Sequence, residues 1–250
     1  MQNGKTVTTG LVLRVTETKE TDKILTVLTP DMGKIPLIAR GARRKNSRIA
    51  AASQLLAYSE LTLYKRGNWY MLDEASTLEL FDGVRQDIVL LSLASYLTEL
   101  AEAVCAEETA SPEILSLLLN ALYALCYLGK EPGLVKAAYQ FRLLALAGFE
   151  PLASACAVCG REAPEAPMLD VLRGVVHCVG CKQPGGLRMP LTAAGLAALR
   201  HILYCDSRRL YAFTLEPAAL RELDHAGEAF AASQLERSFR TLDYYKSLLG

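Results

Sequence analysis

The sequence predicts an α+β protein of several domains, with an N-terminal five-stranded OB-fold barrel followed by an all-α domain that contains an embedded four-cysteine zinc finger. Apolar residues recur at a period near two from residue 7 to residue 80, which is typical of strands. After residue 82 the period becomes three to four, which is typical of helices. The predicted parts are an OB-fold domain (1–80), a first helical part (81–150), the finger (151–190) and a second helical part (191–250).

Turn-forming residues divide the first 80 residues into five short strands. The breaks fall at residues 29–33, 40–48 and 66–68. Five short strands suit a small closed or partly closed barrel, and the OB-fold is the commonest barrel of that size. An SH3-like barrel stays open as an alternative.

Helical periodicity accounts for most of the chain after residue 82. Pro112 and Pro132 fall near first helical turns, where a missing N–H costs least, and Gly129 and Gly148 fall where helices are expected to end. The predicted helices cover residues 84–104, 112–128, 132–147, 192–204 and 217–245.

The charge of the chain is balanced overall but unevenly distributed. Residues 1–70 carry 12 basic and 5 acidic residues, a net charge of +7, so the remaining 180 residues carry −7. Such asymmetry favours a polyanion-binding N-terminal part. The first residues contain no apolar leader, and the longest apolar run, 114–128, is broken by two polar residues. We therefore expect no secretion, no membrane span and a cytoplasmic location.

Four of the seven cysteines form two Cys-x2-Cys pairs separated by 18 residues, a spacing typical of structural zinc sites. Two residues between thiols allow a tight turn to point both sulfurs at one tetrahedral ion. Four thiolates close the coordination shell, so one structural rather than catalytic Zn²⁺ per chain is expected. A redox pair or a vestigial site of reduced thiols are the alternatives. The predicted ligands are Cys156, Cys159, Cys178 and Cys181.

A basic stretch follows the third predicted strand: residues 40–48 contain five basic residues and no acid. On a barrel loop, guanidinium and ammonium groups suit contacts to successive phosphates of one strand, and exposed rings stack bases. A solvated loop is the alternative, and Tyr64 and Tyr70 fit the barrel core equally well. The candidate nucleic-acid contacts are Lys34, Arg40, Arg43, Arg44, Lys45, Arg48, Lys65, Arg66 and Trp69.

Signals for catalysis are poor, because no nucleotide-binding, zinc-protease or nucleophile-elbow motif occurs in the chain. Scattered carboxylates leave a metal-dependent nuclease as one rival, and an RNA-binding factor is another, since barrel and basic loop suit RNA equally well. We expect a binding protein without enzymatic activity. The carboxylates considered for magnesium are Asp22, Asp31, Asp73 and Glu74.

Short segments along the whole chain resemble the RecO family of bacterial DNA repair proteins. The similarity is most specific at residues 9–13, 20–25, 33–34, 39–44, 141–144 and 148–151. The resemblance implies an OB-fold that binds single- and double-stranded DNA and anneals complementary strands. It also implies that, with RecR, the protein helps to load RecA onto strands coated by single-stranded DNA-binding protein (SSB), in a nucleoid-associated location.

The resemblance further implies that the acidic C-terminal tail of SSB docks in the helical domain, in an apolar pocket beside basic side chains. The candidate residues are Tyr139, Phe141 and Arg142, with the arginine facing the tail carboxylate. An ordinary helix-surface arginine is the alternative. The run at residues 237–242 departs from the Lys-Ser-Arg type found in many relatives.

Overall fold

The computed structural model describes residues 4–181 and 185–250, which form two compact units, one up to residue 122 and one from residue 123 onward. In the described residues the strands are β1 (Thr6–Thr18), β2 (Asp22–Thr29), β3 (Gly33–Ala39), β4 (Tyr58–Arg66), β5 (Trp69–Glu79), β6 (Pro167–Asp170), β7 (Val175–Cys178) and β8 (Arg188–Pro190). The helices are α1 (Asp82–Arg85), α2 (Ile88–Val104), α3 (Pro112–Cys126), α4 (Pro132–Leu146), α5 (Ala193–Tyr204), α6 (Pro217–Gln234) and α7 (Arg240–Leu249).

The first five strands close into a barrel of order β1-β2-β3-β5-β4, which confirms the predicted OB-like fold. Closure depends on the length of β1: its first half, Thr6 to Leu11, pairs with β4, and its second half, from Leu11 to Thr18, pairs with β2. A bulge between Val12 and Arg14 bends β1 where the partner changes. A short parallel contact between β3 and β5 completes the circle.

The barrel core follows from strand alternation, since every second side chain points to the same face of a strand. In β3, Gly33, Ile35, Leu37 and Ala39 are buried while the residues between them are half-exposed. Leu37 is fully buried, and its truncation to alanine is expected to cost about 2–5 kcal/mol.

Residues 40–57, between β3 and β4, form successive turns that are anchored in the barrel. Ala42, Ile49 and Ala57 belong to the buried cluster of the barrel. The N–H of Val12 donates to the carbonyl of Ala57 at 3.0 Å, and the N–H of Leu56 donates to the carbonyl of Val12 at 3.0 Å. The loop that carries the basic stretch is therefore a packed part of the barrel.

The helices lie where the sequence predicts them, except that two predicted helices are each divided. The helix predicted over residues 84–104 is interrupted between α1 and α2, where Asp87 has an extended backbone and caps α2. The single helix predicted over residues 217–245 is wrong, because the chain forms α6 and α7 with a break between them. At the break Glu236 adopts a left-handed backbone conformation with φ of 50°, and the N–H of Arg237 donates to the carbonyl of Ala232 at 3.2 Å. Helices usually place glycine in such a position, and its absence here hides the break from the sequence pattern.

The predicted four-part division of the chain remains a prediction. The cysteine segment, for which the sequence showed no period, contains a small antiparallel sheet of order β7-β6-β8. None of the helices formed by the described residues is both long and apolar enough to span a membrane.

Candidate metal centre and nucleic-acid interface

The four predicted metal ligands meet in space. The Sγ atoms of Cys156, Cys159, Cys178 and Cys181 all lie within 4.8 Å of one another, and those of Cys159 and Cys178 are 3.9 Å apart. Four sulfurs about 2.3 Å from one tetrahedral ion would be separated by roughly 3.8 Å. The cluster therefore has the size and the ligand type of a four-thiolate metal site.

Backbone hydrogen bonds within each knuckle orient its two sulfurs toward the shared site. In the first knuckle the N–H of Gly160 donates to the carbonyl of Cys156 at 2.9 Å, and Gly160 has φ of 72°, a conformation that favours glycine. In the second knuckle Cys178 ends β7, and the N–H of Cys181 donates to the carbonyl of Cys178 at 3.0 Å. A further bond joins the knuckles, from the N–H of Cys178 to Sγ of Cys156 at 3.4 Å.

The thiols of the cluster differ in acidity. Burial raises the pKa of Cys156, but backbone N–H donors of Cys159, Cys178 and Val158 outweigh burial and lower that pKa to about 6. Interaction with Cys159 and burial together raise the pKa of Cys181 to about 12. Burial is also the largest cause of the raised pKa of Cys178. Neighbouring thiolates repel one another, so a divalent cation suits a site in which all four are ionised.

Two residues near the cluster support it without belonging to it. His177 is buried, and its Nδ1 lies 2.9 Å from the carbonyl oxygen of Cys178. Arg200, on α5, donates from Nε to the carbonyl of Ala153 at 2.7 Å and from Nη2 to the carbonyls of Ser154 and Glu162 at 2.8 and 2.6 Å. Sequence reasoning missed Arg200, because nothing in a helical arginine indicates that its partners are distant carbonyl groups.

The basic stretch presents most of its charge to solvent. Arg40, Arg44, Lys45 and Arg48 are exposed, and none of them forms an ion pair within the described residues. Arg43 differs, because its Nη1 lies 3.2 Å from Oε2 of Glu17. Four cations on a fixed loop are suited to polyanion contacts.

Other predicted contacts are partly occupied by the protein itself. Nζ of Lys34 donates to the carbonyl of Glu102 at 2.8 Å. Nζ of Lys65 lies 3.6 Å from Oε1 of Glu108 and 5.1 Å from the ring centroid of Tyr70. Lys34 is thus partly engaged within the barrel unit, whereas the side chain of Lys65 stays 53% exposed, and both DNA contacts remain predictions.

The turn between β4 and β5 carries the other predicted contacts. Arg66 is exposed and pairs in register with Trp69, whose ring is 41% exposed. Tyr64 and Tyr70 are half-buried, so they are neither fully packed in the barrel core nor fully exposed for base stacking. Trp69 is thus the aromatic residue of this turn best placed to stack on a base.

The residues predicted to bind a partner tail lie inside the second unit. Tyr139 and Phe141 have no exposed surface, and the ring of Phe141 stacks on Phe230 with centroids 5.8 Å apart. Arg142 donates from Nη1 to the carbonyl of Leu203 at 3.1 Å and from Nη2 to the carbonyl of Cys205 at 2.5 Å. Tyr139 and Phe141 therefore pack in the helical core, whereas Arg142 is partly exposed and holds the C-terminal end of α5. A docking role for these three residues stays a prediction.

The carboxylates considered for magnesium do not gather. Oδ1 of Asp22 accepts the N–H of Gly41 at 2.8 Å, and Oδ2 of Asp73 lies 2.6 Å from Nζ of Lys5. Within residues 4–181 and 185–250, the four cysteines are the sole group with the geometry to hold a metal ion. The geometry therefore gives no support to a nuclease site.

Fold and site together define a class of protein: an OB-like barrel with a cationic loop, joined to a helical unit that carries a four-cysteine centre. Sequence models of one known family match both parts of the chain. The family model "Recombination protein O N terminal" matches residues 1–81, and "Recombination protein O C terminal" matches residues 85–243.

Full-length relatives agree with the family models. Proteins named DNA repair protein RecO from Acetivibrio thermocellus, Symbiobacterium thermophilum and Desulforudis audaxviator are 29%, 30% and 32% identical to this chain. Each match covers 96% of this chain and 96% of the relative. The chain belongs to the RecO family, whose relatives are named DNA repair proteins.

Proposed function

We propose that this protein is a recombination mediator that binds single- and double-stranded DNA on its barrel and anneals complementary strands. The observation that carries the proposal is the exposed loop at residues 40–48, whose cations are displayed on a packed support rather than on a flexible segment. Because ordering entropy is already lost in the free protein, binding a strand costs less.

Annealing on this surface needs no catalytic residue. Cations that neutralise phosphates lower the repulsion between two strands, and release of condensed counterions drives the binding. Arg66 and Trp69 at the turn between β4 and β5 add a charge and a stacking surface. Together these groups hold a strand without reading its bases, as annealing of any complementary pair requires.

Zinc is the ion we propose for the four-cysteine centre. Its preference for four thiolates in a tetrahedron matches the cluster formed by Cys156, Cys159, Cys178 and Cys181. With no open coordination position, the metal supplies folding energy and no chemistry. Arg200 and the backbone donors of the knuckles then hold the ligands in place.

Family membership supports the remaining partners. We propose RecR and SSB as direct partners and RecA as the protein loaded onto the strand, with the nucleoid as the place of action. Tyr139 and Phe141 are fully buried and Arg142 is partly exposed, so of these three candidates Arg142 is the one that presents surface to the SSB tail.

Strand annealing on SSB-coated complementary oligonucleotides tests the proposal. The protein is expected to accelerate duplex formation without added metal or nucleotide, and a variant with Arg44, Lys45 and Arg48 all changed to alanine is expected to lose most of that acceleration. A chain that binds RNA tightly but leaves SSB-coated DNA strands apart would instead be an RNA-binding factor. Cleavage of the labelled strands with magnesium would contradict the absence of enzymatic activity.

A further inference from the structure

A cleft of about 580 Å³ opens between the basic loop and the turn that joins β1 to β2. Lys19, Glu20 and Asp22 contribute one wall, and Arg40 and Arg44 contribute the other. The cleft is open to solvent, so a continuous chain of nucleotides has room to enter and leave.

Backbone hydrogen bonds fix the two walls against each other. Oδ1 of Asp22 accepts the N–H of Gly41 at 2.8 Å, and the carbonyl of Thr21 accepts the N–H of Arg43 at 2.9 Å. The backbone segments that carry the cationic side chains are therefore held together before any ligand binds, which reduces the entropy lost on binding.

Gly41 allows Arg44 to lie over the floor of the cleft. It has φ of 66°, and a Cβ placed on it would stand 3.2 Å from both Cδ and Nε of Arg44. A side chain at position 41 would crowd Arg44, which would have to shift by a few tenths of an ångström. The bare backbone of Gly41 thus allows the close approach of Arg44.

The charges of the cleft suit a singly charged anion. Lys19, Arg40 and Arg44 are exposed and form no ion pair within the described part of the chain. Against these three cations stand the carboxylates of Glu20 and Asp22, which leaves a net charge of +1. An internal phosphodiester carries one negative charge, whereas a terminal phosphate carries about −1.5 to −2 at pH 7.

We propose that this cleft holds one internal phosphodiester of a bound strand, contacted jointly by Lys19, Arg40 and Arg44. The proposal rests on the strand binding proposed above and adds one defined position for a phosphate of that strand. Two guanidinium forks and an ammonium group converge on a single phosphate, while Lys45 and Arg48 contact its neighbours. Lys19 becomes a contact residue although it lies outside the basic stretch.

A double-mutant cycle distinguishes one shared phosphate from independent contacts. One phosphate contact on a single strand changes log affinity by about 0.7 per tenfold change in salt, so Lys19→Ala and Arg44→Ala are each expected to weaken binding about fivefold at 0.1 M salt. The double variant is expected to be no more than about twofold weaker than either single variant, because both act on one phosphate. Lys5→Ala, which removes an exposed lysine outside the cleft, is the matched control and should leave affinity unchanged.

Fluorescence anisotropy with a labelled oligonucleotide provides the affinities. No effect of Lys19→Ala, or a double variant weakened about 25-fold as two independent contacts require, would overturn the shared phosphate. Adding a 5′-phosphate to the oligonucleotide should not change affinity. A gain from that phosphate that disappears in Lys19→Ala would assign the cleft to strand ends and contradict the internal position.

Inorganic phosphate separates failure of the cleft from failure of strand binding. In amide NMR spectra, phosphate is expected to shift the Gly41 resonance in the wild type but not in Lys19→Ala. If the protein bound no oligonucleotide yet showed this shift, the proposed function would fall and the anion site would stand. If the protein bound no oligonucleotide and the Gly41 resonance did not shift with phosphate, the proposed function and the anion site would both be wrong.

Discussion

The basic loop and the cysteine segment are both built mostly of turns, yet they are held in different ways. Residues 40–57 are fixed by Ala42, Ile49 and Ala57, which lie in the barrel core, and by backbone bonds to the neighbouring strand. The cysteine segment has sheet strands of three or four residues, and its two knuckles converge on four thiols. Irregular backbone is thus fixed by apolar burial in one region and by ligand chemistry in the other.

This contrast has a functional consequence. The loop proposed to grip DNA keeps its shape whether or not a metal is bound, because hydrophobic anchors need no ligand. The cysteine segment has its full stability only with an ion, because metal-binding energy is folding energy there. Metal removal and core truncation should therefore affect different units of the chain.

The largest effect is expected from Cys156→Ser. Loss of one of four ligands should abolish stoichiometric zinc binding and lower the free energy of unfolding of the unit from residue 123 onward by several kcal/mol. Elemental analysis and thermal unfolding measure both effects. Cys126→Ser, a half-buried cysteine outside the cluster, is the matched control and should retain one zinc per chain.

The oligonucleotide affinity of the Cys156→Ser variant tests whether the basic loop depends on the cysteine segment. The barrel loop belongs to the other of the two compact units. Affinity within about twofold of the wild type is expected below the melting transition. A loss equal to that of the loop variants would show that the two regions depend on each other.

Lys136→Met is expected to have the next largest effect. Nζ of Lys136, nearly without solvent exposure, lies 3.0 Å from Oδ2 of Asp224 and 2.5 Å from Oε1 of Glu228. Removing it leaves the buried carboxylate of Asp224 without its lysine and Glu228 with Lys246 alone, at a cost of about 3–5 kcal/mol by chemical denaturation. Lys246→Met is the control: Lys246 is half-exposed and also pairs with Glu228, so its loss should cost about 1 kcal/mol or less.

The penalty of Lys136→Met should depend on pH. Burial already raises the pKa of Asp224 to about 6 despite Lys136, so folding favours the protonated form of Asp224 and its contribution to stability falls as pH rises from about 4 to about 6. Without the lysine, this pKa rises further, and Glu228 loses one of the two lysines that lower its pKa. The variant should therefore lose less stability at pH 5 than at pH 8, and an equal loss at both would contradict the charge argument.

A smaller effect is expected from Gly41→Ala compared with Gly67→Ala. Both glycines have positive φ, so each substitution should cost about 1–2 kcal/mol of stability. A Cβ at position 67 would meet no atom within 4 Å, whereas one at position 41 would crowd the side chain of Arg44 at 3.2 Å. Oligonucleotide affinity should thus fall a few-fold in Gly41→Ala alone, and an equal fall in both would attribute the effect to backbone strain.

The sequence predicted the barrel, most helices and the metal cluster because their signals are local or fixed by spacing. Strand alternation such as that of β3 reports burial directly, and the Cys-x2-Cys spacing constrains sulfurs whatever surrounds them. The residues predicted to bind the partner tail show the limit of this reasoning. An arginine between aromatic residues on a helix does not reveal whether that face is covered, and α4 is buried over most of its length.

Other features depend on contacts between residues distant in sequence. Arg200 holds the first knuckle through carbonyl groups about 40 residues away, and Lys19 reaches the cationic loop only because the barrel brings two turns together. Backbone carbonyls carry no sequence signal, so pairings of this kind emerge only from the folded chain. The break between α6 and α7 at Glu236 is hidden for a related reason, since its left-handed residue is not glycine.

The salt dependence of oligonucleotide binding tests the central claim most directly. With about five phosphates contacted, log affinity plotted against log salt is expected to have a slope of about −3 to −4. Changing Arg44, Lys45 and Arg48 together to alanine should flatten this slope by about 2, while Arg43→Ala, whose guanidinium already pairs with Glu17, should change it less. An unchanged slope in the triple variant would show that the strand binds elsewhere on the molecule.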